Sequence, residues 1–227
     1  MRSRDVVSGI KEIYDHYQVI PNLREHMLRA ASVGLFICEH WKGPRISKAD
    51  IVACLLVHDI GNTVKLDLET EHGLKLLGNS GVDIEAIRKI RERMVSEYGS
   101  DDHKANIRMA NEIGVSSRLI QMIEGYRFLK LEDVLNGSDW GLKIFVYCDM
   151  RAGPFGIVSL TDRIADIKMR YGHRDSSVNR KDAGKYFDCM FKIERQVAAN
   201  AQLKPEDIND DSVPILTEEA FQDRHIS

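Results

Sequence analysis

Apolar residues recur three and four positions apart along most of this chain, and strand-like alternation is nearly absent. Such a period draws one face on a helix but scatters over both faces of a strand, so it selects an all-α fold. In "NLREHMLRAASVGLFICEHW", Leu23, Met27, Ala30, Gly34, Ile37 and Trp41 form one stripe on a helix of about five turns, with Pro21 near its start. A second helix is expected from Ser47, a suitable N-cap, to near Gly61, which suits the left-handed position after a helix end. The spacing predicts further helices over about 70–79, 83–97, 102–113, 116–126, 139–151, 160–172 and 180–202, divided by "GNSGVD", "GSDD", "IGVSS", "NGSD" and "RAGPFG".

With no repeat, low-complexity run or long linker, residues 1–202 are expected to form one compact multi-helix bundle. Residues 203–227 are acidic, carry two prolines and are expected to be a loosely attached tail with a short helix near 217–224. The 32 basic and 35 acidic residues are spread along all 227 positions, so no basic field stands ready for nucleic acid or an anionic membrane. Cys38, Cys54, Cys148 and Cys189 lie far apart in apolar or amphipathic segments and read as reduced, buried thiols. Neither a signal peptide nor a membrane-spanning run is expected, and the default compartment is the cytoplasm.

Chemistry enters where "CLLVHDIGN" delivers His58 and Asp59 side by side at the end of an apolar helix. Successive helical residues point about 100° apart, so both reach one ion only where the helix is ending and its last turn can open. Two more polar groups stand where core residues belong. His26 falls on the apolar line through Ala30, Val33 and Ile37, and Asp149 follows Leu142 and Phe145 in "WGLKIFVYCDM". A carboxylate among such neighbours is costly unless paired with Arg151 or Arg163, or bound to a cation.

The order and spacing of "NLREHMLRAASVGLFICEHW", "CLLVHDIGN" and "FVYCDMRAGPFGIVSLTDRIADIKMRY" resemble the HD-domain superfamily of metal-dependent phosphohydrolases over about residues 20–172. The resemblance implies a compact HD-type helical bundle with additional C-terminal helices, in which His26, His58, Asp59 and Asp149 coordinate one divalent metal. Such an N₂O₂ set leaves positions open for water and substrate and suits Mn²⁺, Co²⁺, Ni²⁺, Zn²⁺ or Fe²⁺. The implied activity is hydrolysis of a small phosphomonoester, a nucleoside 5'-monophosphate first, by metal-activated water. The alternatives are a phosphodiesterase on cyclic or linear nucleotides and a catalytically silent nucleotide-binding module.

Asp67 matches an acidic position of the nucleoside-monophosphatase branch and, with Asp59, is the expected catalytic pair; Glu69 and Glu71 are fallbacks. Asn62 stands where that branch tends to carry Glu. Lys65 and Arg24 are the expected phosphate contacts, and His72 a substrate contact. Arg163 resembles a position near the metal aspartate and could equally pair with Asp149 or Asp162. Dinuclear relatives supply extra histidines, one of them where this chain reads Gly125 and Tyr126, so a single ion is expected. His103 reads as a solvated residue at a helix start, and His16, His40, His173 and His225 as surface or structural. "KDAGKYFDCMFKIERQVAAN" reads as a packing helix that could serve a homo-oligomer.

Overall fold

Helix α3 (Pro21–His40) begins on a proline whose missing N–H would have had no helical acceptor, and it carries the long apolar stripe inward. Helix α4 (Lys48–Val57) follows, its first turn capped by the Ser47 side chain, which accepts from the Asp50 N–H. The two pack so closely at Gly34 that a Cβ there would lie 2.4 Å from Leu55 Cδ1. The computed structural model describes residues 1–77, 83–171 and 179–222, with the side chains of Arg4, His72 and Tyr171 outside that description.

Ahead of this pair lie α1 (Ser3–Ser8) and α2 (Ile10–His16), two short helices that the periodicity did not announce. Beyond it come α5 (Glu71–Lys75), α6 (Ile84–Tyr98), α7 (Asp102–Ile113), α8 (Ser117–Gly125), the unannounced α9 (Leu131–Asn136), α10 (Trp140–Arg151), α11 (Leu160–Tyr171), α12 (Ala183–Ala201) and α13 (Glu218–Gln222). Side chains of Asp83, Asp101, Ser116 and Asp139 cap α6, α7, α8 and α10 by accepting backbone N–H groups. Gly114, at φ 76°, ends α7 in the left-handed conformation that glycine tolerates best. Among the described residues the structure is all-α, with an isolated antiparallel bridge between Ala152 and Ile157. None of the described helices is long and apolar enough to cross a membrane.

Two expectations at the helix ends change. Helix α4 stops at Val57, and the chain turns through residues 58–61 into a 3-10 turn, Asn62–Lys65. Gly61 has φ −90°, so it is no left-handed cap; its need is for space, because a Cβ would lie 2.9 Å from the backbone of Ala105 and Asn106 on α7.

The C-terminal segment is a larger correction. Ile208, Val213 and Phe221 are buried in the same core cluster as Val6 and Tyr147. Arg151 holds the segment down, donating to the Pro205 carbonyl at 3.1 Å and the Ile208 carbonyl at 2.5 Å, while the Leu216 N–H donates to Ser32 Oγ at 3.0 Å. Residues 205–222 are therefore packed against the bundle rather than loosely attached, since three apolar side chains and a buried guanidinium anchor a mostly polar stretch. Residues 223 and 224 of the expected terminal helix lie outside the described residues.

Candidate metal centre

The site is assembled from three helices of the core. His26 projects from α3, His58 and Asp59 from the turn that ends α4, and Asp149 from α10. His26 Nε2 and His58 Nε2 lie 2.9 and 3.1 Å from Asp149 Oδ1, and each lies 3.7 Å from an oxygen of Asp59. One donor atom from each residue falls within 4.8 Å of the others, close to the roughly 4.4 Å that separates opposite ligands of one ion bound at about 2.2 Å. The four residues expected as ligands are thus brought together in a group that could hold a metal ion.

Their surroundings favour that use. His58 Nδ1 lies 2.9 Å from the Leu55 carbonyl, which can only accept, so Nδ1 keeps its hydrogen and Nε2 faces the cluster. Tyr126 donates its hydroxyl to Asp149 Oδ2 at 2.7 Å and so orients the carboxylate from the far side. Burial would push His58 toward the neutral form, but the carboxylates of Asp59 and Asp149 outweigh it and lift its pKa to about 9. His26 moves the other way, its pKa lowered by burial despite the same carboxylates. For Asp149, burial opposes ionisation, yet hydrogen bonds from both imidazoles hold its carboxyl well below the usual carboxylate range. Two carboxylates gathered with two imidazoles in a largely buried place are a donor set whose charge a divalent cation would offset.

Neither Arg151 nor Arg163 pairs with Asp149. Arg151 sits two residues on, about 200° around the helix, and faces the C-terminal segment instead. Asn62 is buried and accepts from Asn106 Nδ2 at 3.0 Å, while Asn106 Oδ1 accepts from the Gly61 N–H at 2.6 Å. The position where an acid is expected thus carries an amide that fastens the turn to α7.

The cluster lines a cavity of about 510 Å³. Lys65, Asp67, Asp102, His103, Arg127, Arg163 and Arg170 share its wall, with Phe128, Leu131 and Phe187 among the apolar residues opposite in character. Lys65, the expected phosphate contact, lies on the cavity wall and is paired to Asp102 at 2.7 Å. Asp67 is there too, but its oxygens accept from the Glu69 and Thr70 N–H groups at 3.1 Å each and from the Thr70 hydroxyl at 2.8 Å, capping the turn into α5.

Arg24 is a correction. Its Nη1 lies 2.8 Å from Asp15 and 3.3 Å from Glu218, its Nε donates to the Val19 carbonyl at 2.7 Å, and it is not part of the cavity wall. Standing two residues before His26, it points about 200° away from it. Glu69 and Glu71 are likewise occupied in exposed pairs with Arg88 at 2.6 Å and Lys75 at 2.8 Å. His72 lies on α5, but its side chain is outside the described part of the structure, as are His173 and His225. His103 is half-buried rather than solvated, and its Nε2 is buried without a hydrogen-bond partner among the described residues. Tyr126 and Asn106, both needed to shape the site, carry no local sequence signal that would have marked them.

No family model, curated protein or solved structure matches this chain.

Proposed function

We propose that this protein is a metal-dependent phosphohydrolase of the HD-domain superfamily, acting on a small phosphomonoester, with a nucleoside 5'-monophosphate the leading candidate. One observation carries the reading: the His26, His58, Asp59 and Asp149 cluster opens on a cavity whose wall also brings Lys65, Arg127, Arg163 and Arg170. An ion-binding group with basic side chains on the same wall is the pairing that an anionic phosphate ester calls for. A divalent ion held there would polarise a phosphoryl oxygen and lower the pKa of water. The N₂O₂ donor set favours Mn²⁺, Co²⁺, Ni²⁺, Zn²⁺ or Fe²⁺, one per chain.

The chain's own residues divide the remaining work. Tyr126 and the Leu55 carbonyl hold Asp149 and His58 in orientation. Lys65 stands at the wall to meet phosphoryl oxygens, and Asp67, on the same wall outside the cluster, is the acid placed to hold a proton. Phe128, Leu131 and Phe187 offer an apolar face to the organic part of the ester.

Phosphate release from a panel of phosphomonoesters and phosphodiesters, with Mn²⁺, Co²⁺, Ni²⁺ or Mg²⁺, tests the proposal. Metal-dependent release that disappears in Asp59→Ala, with the fold retained by circular dichroism, is the expected result. Silence from folded, metal-loaded protein across the panel would overturn the hydrolase reading in favour of a nucleotide-binding module. The unpartnered His103 Nε2 gives a phosphodiesterase with a second ion its one specific footing, and a metal content near two per chain would favour it.

A further inference from the structure

Two guanidinium groups of α11 converge on one carboxylate. Arg163 Nη1 lies 3.1 Å from Asp166 Oδ2, and Arg170 Nη2 donates to the same oxygen. The shared carboxylate holds the Arg163 guanidinium in place. The trio sits in a sheltered wall, with the Arg163 side chain 11% exposed, and both arginines line the cavity onto which the His/Asp cluster opens. The Arg163 Nε–H is buried and has no hydrogen-bond acceptor among the described residues. A buried charged donor without an acceptor carries a desolvation cost that a bound oxyanion would remove.

The nearby acids are already committed. Asp149 is held by His26, His58 and Tyr126, and Asp162 accepts from the Ser159 hydroxyl at 2.7 Å. The Arg163 charge nevertheless reaches the Tyr126 phenol, the same group that donates to Asp149, so the guanidinium lies close to the metal cluster without neutralising it.

We propose that Arg163 is the phosphate-gripping residue of this cavity, its Nε–H donating to an oxygen of a tetrahedral oxyanion held beside the His/Asp cluster, with Asp166 fixing the guanidinium in place. The identity of the anion as the phosphoryl group of a substrate rests on the phosphohydrolase reading; the choice of residue rests on the cavity. Arg163 thereby takes the role that sequence spacing assigned to Arg24.

The test titrates inorganic phosphate into the full chain loaded with Zn²⁺, a diamagnetic ion. In the unaltered protein the Arg163 Nε–H resonance, assigned by its loss in Arg163→Lys, is expected to shift as phosphate binds. Phosphate affinity should fall about tenfold or more in Arg163→Gln and less in Arg163→Lys, with metal content unchanged. Lys11→Gln, which removes a cation from an exposed pair with Glu219 away from the cavity wall, should bind phosphate as the unaltered chain does. An unmoved Nε–H resonance, wild-type affinity in Arg163→Gln, or no phosphate binding at all would overturn the proposal. Arg163-dependent phosphate binding without turnover of any ester would fell the hydrolase reading and leave the anion grip standing; turnover with phosphate binding indifferent to Arg163 would do the reverse.

Discussion

Asp149 is held on both oxygens: two imidazoles share Oδ1 and a phenol holds Oδ2. Removing the phenol hydroxyl in Tyr126→Phe keeps the ring, which packs edge-on against Phe145 with centroids 5.6 Å apart, and frees one carboxylate oxygen to turn. Metal affinity is expected to fall about 10- to 100-fold with little loss of stability, read by competition against a chelator. Metal binding should also release protons. With its pKa near 9, His58 is charged at pH 7 and must lose its proton to ligate, whereas His26, its pKa lowered by burial, is already neutral. About one proton per ion should appear at pH 7 in weakly buffered titrations, and the release should fade as pH rises through 9; release near two per ion would contradict this assignment. The candidate ligands were legible in the sequence because His26 and Asp149 are polar groups at core positions of helical stripes, His58 and Asp59 end an apolar helix, and the order of the three blocks carries the resemblance that joins them in one set. Tyr126 was not, because a tyrosine near a helix end is compatible with many environments.

At the scale of elements, the turn from α4 into Asn62–Lys65 decides where His58 and Asp59 point, and its seat on α7 is fixed by Gly61 and Asn106. Gly61→Ala places a methyl 2.9 Å from α7 backbone, which cannot yield as a side-chain tip would. A loss of about 1–3 kcal/mol in urea unfolding, accompanied by weaker metal binding, is expected; unchanged stability would show that the turn has room to shift. Helix limits over α6, α7, α8 and α10 follow the sequence closely because caps and apolar period agree there. The short helices α1, α2 and α9 carry no such signal, since six or seven residues give too few turns for a period to show. Arg24 was misplaced for a geometric reason: two positions along a helix is nearly the opposite face.

Over the whole molecule, one buried cluster runs from Val6 to Phe221, so the last described helix belongs to the same core as the first. Phe221→Ala should cost about 3–5 kcal/mol by urea denaturation, whereas a free tail would leave stability unchanged. The sequence alone was enough for the helical class and most helix limits, which depend on spacings within single helices, and for the four candidate ligands, which two polar residues in apolar surroundings and the resemblance of three blocks point to. Only the tertiary structure decided that Arg163 and Lys65 face the cavity while Arg24 turns to Asp15 and Glu218, that an orphaned Nε–H waits beside the cluster, and that an acidic C-terminal segment is drawn into the core. Which way a charged side chain turns is set by partners contributed from distant parts of the chain, and no local pattern records which partners those will be.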